Sequence, residues 1–166
     1  MKMKKFINSP ETVTDEELEG LGLSNPDIIY VEGHMVISKE LDNADRVTVV
    51  TYGGSGHEPA QAGYVGKGAL DIQVVGDIFA APNGQLVFEA LKKADKGHGV
   101  LLLTLNYAGD QLAGRQAMKL AQKAGMYFSN VAGSSMGSMA LYAGIVLAVV
   151  ALVHAVADGS AAKADK

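Results

Sequence analysis

The sequence contains no cysteine and no tryptophan among its 166 residues. Without cysteine there can be no disulfide, no thiolate zinc site and no cysteine nucleophile, a usage that suits a cytoplasmic protein. Positive charge is also scarce. Fourteen Lys and Arg face eighteen Asp and Glu, for a formal net charge of −4. The basic residues form no stripe, which argues against a nucleic-acid partner, since phosphate binding needs clustered cations. A long apolar run is missing near the start. Met1-Lys-Met-Lys-Lys-Phe-Ile begins as an export signal would, but Asn8, Ser9, Pro10 and Glu11 interrupt at once, so no signal peptide is expected. Hydrophobic residues make up 48% and charged residues 19%, the balance of a globular domain rather than a disordered chain. Twenty glycines against a 6% aromatic content announce tight turns and close backbone approaches.

Residues 9–22 read as a short acidic helix with Ser9 as N-cap and Pro10 at its first position. Ile28 to Ile37 reads as a strand interrupted at Gly33. Arg46 to Thr51, Asp71 to Val75 and Val100 to Leu105 read as three strands rich in β-branched or aliphatic residues. The third is apolar on both faces, as expected of a strand inside a parallel sheet. Between them, Gly84 to Asp95 and Gln111 to Ala124 carry helical periodicity, the second stopped by Gly125. Alternating strand, loop and helix gives an α/β layer fold, a parallel sheet with flanking helices and right-handed crossovers.

Each of the three strands is followed by a loop of unusual residues: Tyr52 to Pro59, Gly76 to Gly84, and Asn106 to Asp110. In an open parallel sheet such loops gather at the carboxyl ends of the strands, where ligands bind. Gly53-Gly54-Ser55-Gly56 offers backbone N–H groups to a small polar ligand, or is simply a glycine-rich turn. The loop is neither a Walker sequence nor a dinucleotide fingerprint. His57, beside it, can exchange a proton with a hydroxyl near neutrality; the alternative is a capping or core histidine. Asp110 is a candidate N-cap of the following helix, a substrate ligand, or both. Asp77 is better read as a turn or cap. His34, His98 and His154 lack metal-ligand spacing, so no metal site is expected. Ser55, His57 and Asp110 make a doubtful triad, because Ser55 and His57 share one tight loop without a nucleophile elbow.

Gly53-Gly-Ser-Gly-His-Glu-Pro59, followed by Gly63-Tyr-Val-Gly66 and Gly68, resembles the signature of the dihydroxyacetone kinase substrate-binding subunit. Phe6-Ile-Asn8, Ile78-Phe79 with Pro82, Gly99-Val-Leu-Leu-Leu103 and Asn106-Tyr-Ala-Gly-Asp110 extend the resemblance over residues 4–126. It implies that dihydroxyacetone or a similar short ketose sits at this strand edge and is phosphorylated on a terminal hydroxyl. Gly53, Gly54, Ser55 and Gly56 would surround it, with His57 and Asp110 binding its hydroxyls and assisting proton transfer. Two departures stand out. Tyr52 occupies the place of the family loop's first glycine, which would narrow the pocket mouth. The family's second half, whose histidine holds the ketose covalently as a hemiaminal, has no counterpart here. The resemblance also places the phosphoryl donor, ATP-Mg or a phosphotransfer partner, on another domain or subunit, and no cofactor in this chain.

The expected organisation is an α/β domain over residues 1–126, a glycine-rich connection and apolar helix over 127–157, and a disordered end over 158–166. Met139 to Ala157 approaches the length of a membrane span. A buried helix is the preferred reading, since His154 would be costly in lipid. Left uncovered, that helix would pair copies of the chain into a homo-oligomer. Two functional readings follow: a substrate-binding component of a glycerone kinase, or a non-catalytic ketose-sensing module that signals through a partner.

Overall fold

The structure is a computed structural model that describes residues 5–132. The apolar stretch 139–157, with His154, and the segment 158–166 lie outside the described residues.

A six-stranded mixed sheet forms the middle layer, in the order β1-β2-β4-β3-β5-β6. Strands β3 (Thr48–Ser55), β4 (Ile72–Ile78), β5 (Val100–Thr104) and β6 (Phe128–Ala132) run parallel. Strands β1 (Ile29–Glu32) and β2 (Met35–Ser38) form an antiparallel hairpin, and β2 joins the sheet antiparallel to β4. The expected single strand from 28 to 37 is therefore two strands. Gly33 turns the chain back where an interruption was anticipated, and the sheet is mixed rather than wholly parallel.

Side-chain alternation along β3 builds both faces of the core. Val50 and Tyr52 point to one side, where α2 (Gly84–Ala94) and α3 (Ala108–Lys123) bury Val87, Leu91, Ala117 and Ala121 against Ile72, Val74 and Leu102. Val49 points to the other side, with Val36, Leu70, Leu101 and Leu103, and Leu18 of α1 (Val13–Ser24) packs there. Helix α2 starts as its sequence suggests: Asn83 Oδ1 accepts from the Leu86 amide at 2.8 Å, which satisfies one of the helix's free donors.

Two helix starts differ from expectation. Helix α1 begins at Val13 after Thr12, and Ser9 instead hydrogen-bonds Glu11 within the preceding turn. Helix α3 begins at Ala108 after Tyr107, which places Asp110 inside the first turn rather than at the N-cap. The N–H groups of that turn have no intrahelical acceptor, so the charge of Asp110 sits at the favourable end of the helix dipole.

The sheet is anchored at the start of β3 by a buried ion pair. Asp71 is 0% exposed and receives Arg46 in bidentate fashion, both contacts at 2.8 Å. The Val49 amide donates to the same carboxylate at 2.8 Å. This fastens the chain entering β3 to the chain entering β4. Their carboxyl ends, where the site forms, are thereby held in register.

Candidate functional site

Strand β3 continues through the glycine loop, because Gly53 pairs with Val75 and Gly54 with Gly76 of β4. The register then shifts so that Ser55 faces Ile78, leaving Asp77 as the extra residue of a bulge. The turn that follows β4 folds back over these ends. An added Cβ on Gly54 would lie 2.7 Å from the Ala80 amide nitrogen, and one on Gly76 would lie 2.0 Å from the Ala80 carbonyl oxygen. Only glycine admits that close approach. The glycines at the two strand ends thus let one loop close upon the other.

The closure forms a cavity of about 350 Å³ lined by Gly54, His57, Phe79, Ala81, Leu105, Tyr107, Gly109 and Asp110. These residues come from the loops after β3, β4 and β5. The size falls within the ordinary range for small-molecule sites, about 300–1,000 Å³. His57 is half-buried, and its ring meets that of Phe79 edge-on at 4.9 Å between centroids. Phe79 holds φ at +53°, a conformation that bulky residues seldom adopt and that is commonly retained at ligand sites.

Asp110 supplies the distinctive electrostatic feature. Its side chain is buried, and Oδ1 has no hydrogen-bond partner. Burial disfavours the charged form and pushes the carboxyl pKa from 3.8 up to about 6. Buried polar groups are nearly always paired. Asp110 lines the cavity, and its closed-off, unpaired oxygen lacks the hydrogen bond that such a group ordinarily has.

The other expected site residues occupy different positions. Ser55 is buried with its hydroxyl 3.2 Å from Thr14 Oγ1 of α1, on the opposite side of the sheet from α3. That placement follows from strand alternation, and no Ser-His-Asp arrangement assembles. Gly53 and Gly56 support the loop without lining the cavity. The Gly56 amide donates to the Glu58 carboxylate at 2.9 Å. Glu58 also hydrogen-bonds Glu17 of α1; burial, this bond and the charge of Glu58 raise the Glu17 pKa to about 7. Tyr52 does not narrow the mouth as expected. It is fully buried beneath α3, because its even position in β3 faces the helical layer. Asp77 is exposed on the β4 bulge, where its carbonyl accepts the Ala80 amide at 3.0 Å. His34 bridges Val75 O and Asp15, each at 3.0 Å, and His98 contacts Asp45 at 2.8 Å; neither lines the cavity. Among the described residues no group of three or more His, Cys, Asp or Glu side chains is placed to hold a metal ion.

Phe79, Leu105 and Tyr107 were not among the expected site residues. Their signal was available, since each lies in a strand-end loop that convergence of the parallel strands brings to this edge.

The fold is a mixed α/β sheet layered by helices, with a glycine-lined strand end and a buried acidic group beside a small cavity. Residues 19–134 match the Dak1 domain family, and the chain belongs to that family. It is 44% identical over 120 residues to the dihydroxyacetone-binding subunit DhaK of the PTS-dependent dihydroxyacetone kinase 1 of Listeria innocua, covering 72% of this chain and 36% of that protein. The crystal structure of the dihydroxyacetone kinase from C. freundii in complex with AMP-PNP and Mg2+ superposes with a TM-score of 0.73 at 30% identity. That match covers 79% of this chain and 25% of the other. The dihydroxyacetone kinase operon co-activator Dha-DhaQ superposes with a TM-score of 0.67 at 30% identity, over 71% of this chain and 36% of the other. The chain thus spans little more than a third of the length of the Listeria relative. No helix among the described residues is long and apolar enough to cross a membrane.

Proposed function

We propose that this chain binds dihydroxyacetone, or a ketose of similar size, in the cavity between the loops after β3, β4 and β5. In this reading it serves as the substrate-holding component of a glycerone kinase. The observation that carries the proposal is a cavity lined together by Gly54, His57 and Asp110, the last with a buried, unpaired Oδ1. Membership of the Dak1 family supports the choice of ligand.

Gly54 lets the 77–80 turn close on the strand end and so shapes the cavity, while His57 and Asp110 hydrogen-bond the ketose hydroxyls. For phosphorylation, a terminal hydroxyl loses its proton as its oxygen bonds to the incoming phosphorus, and the donor's own P–O bond breaks. Asp110 is the acceptor best placed for that proton. At neutral pH it is mostly ionised, yet a pKa of about 6 lets it take a proton more readily than an ordinary carboxylate. His57 orients the ketose and is the second candidate for proton exchange.

The described residues contain no Walker loop and no group of three or more His, Cys, Asp or Glu placed to hold a metal ion. The donor is accordingly proposed to arrive on another domain or subunit, either as ATP-Mg or through a phosphotransfer partner.

Ligand-observed NMR with dihydroxyacetone tests the binding step directly. Saturable binding by the folded chain is expected, weakened about tenfold or more in His57→Ala and Asp110→Ala, the size of losing a hydrogen bond to a charged or buried group. Unaltered binding in both variants, or none by the folded wild type, would overturn the assignment.

A further inference from the structure

We infer that Tyr52 is a positioning residue of this site: its buried hydroxyl holds the first turn of α3, and thereby Asp110, at the cavity wall. The inference rests on the reading of Asp110 as a ketose ligand.

Tyr52 is 0% exposed and lies on the face of β3 that is turned toward α2 and α3, away from the cavity. Its hydroxyl donates to the Asp110 main-chain carbonyl at 2.8 Å and lies 3.1 Å from Thr104 Oγ1. Thr104 in turn donates to Asn130 Oδ1 at 2.7 Å. A line of polar groups therefore ties α3 to β3, β5 and β6 directly behind the site. In regular α-geometry the Asp110 carbonyl already accepts the amide four residues on, at Gly114. Tyr52 occupies its remaining lone pair.

Gly114 shows that the approach is built in. A Cβ at that position would lie 2.1 Å from the Tyr52 hydroxyl oxygen, so the helix reaches the phenol only because residue 114 has no side chain. Holding this turn matters because Asp110 keeps a carboxylate oxygen buried without a partner. Such a group gains hydration if the turn moves outward. The tyrosine tethers that turn through its hydroxyl.

Tyr52→Phe in the full chain keeps the ring and removes only the hydroxyl. Three measurements are made beside wild type: thermal unfolding, the pH titration of the Asp110 carboxyl carbon by NMR, and dihydroxyacetone affinity. The other titratable side chains lining the cavity, His57 and Tyr107, are unchanged. The variant is expected to fold, with its Asp110 midpoint falling from about 6 toward 3.8 as water reaches the carboxyl. Affinity should drop about three- to tenfold, the range for one buried hydrogen bond. Gly114→Ala should displace the same hydroxyl and lower the same midpoint. The double variant should be no worse than Gly114→Ala alone, since both changes act on the same hydroxyl. A folded Tyr52→Phe with wild-type midpoint and affinity would reduce Tyr52 to a core filler and overturn the inference. Failure of Tyr52→Phe to fold would overturn it as well, by making the hydroxyl a requirement of the fold rather than of the site. Should wild type bind no ketose, the ligand assignment falls, while the midpoint comparison still decides the role of Tyr52.

Discussion

Asp110 and Gly54 show how much chemistry rests on single positions. The Asp110 carboxyl titrates at about 6 instead of its ordinary 3.8 because it is buried, and the sign of its effect on stability follows. Between those two values the folded state holds a proton that the unfolded chain has released, so this group favours folding more as pH falls. Its cost is fully present above pH 6 and disappears below about pH 4. Asp110→Asn, which cannot ionise, should therefore unfold at a higher temperature than wild type at pH 8. That advantage should shrink as pH is lowered to 5, as thermal denaturation at several pH values will show. Gly54 carries a steric constraint instead. A methyl group would meet the Ala80 amide nitrogen at 2.7 Å, so Gly54→Ala should push the 77–80 turn off the strand end. Ketose affinity should fall with little loss of secondary structure, a pair of changes that ligand NMR and circular dichroism separate.

Among the elements, helix α1 and the loop after β3 act as a unit. Thr14 meets Ser55, and Glu17 shares a hydrogen bond with Glu58 beside His57. The pKa of Glu17 is raised from 4.5 to about 7, so its favourable, protonated contribution is lost as pH rises through that interval. Glu17→Gln keeps a donor toward Glu58 and should flatten that part of the stability profile. An unchanged slope between pH 5 and 8 would refute this coupling. The Arg46–Asp71 pair is the stronger anchor. Arg46→Ala leaves a buried carboxylate without its cation, a loss of about 3–5 kcal/mol in comparable pairs, measurable by urea denaturation. Local pattern had revealed β3, β5 and α2, since apolar β-branched runs and an amphipathic stripe are properties of the segments themselves. It had not revealed β6. Phe128-Ser-Asn-Val-Ala132 is short and partly polar, and only pairing with β5 makes it a strand. The split of 28–37 into a hairpin was likewise hidden, because an interrupted strand and a two-stranded turn share one apolar pattern.

For the whole molecule, the sheet brings three sequence-distant loops to one edge, and the proposed function assigns the phosphoryl donor to another domain or subunit. The chain with dihydroxyacetone and ATP-Mg alone is expected to form no ketose phosphate. Addition of a nucleotide-binding kinase subunit should produce it, as followed by phosphorus NMR. Product formation by the chain alone would contradict the proposed division of labour. The α/β class and the convergence of the strand-end loops that carry His57 and Asp110 were legible in residue order. Periodicity and strand-end glycines are local, and parallel strands must place those ends together. Which loop side chains line the cavity was decided by tertiary structure. The bulge at Gly54 and Ser55 and the alternation of β3 send Ser55 toward α1 and Tyr52 under α3. Phe79 and Tyr107 meet at the cavity only after the loops close. The raised pKa of Asp110 belongs to the same level, because desolvation depends on what packs around a carboxylate and not on its neighbours in the chain.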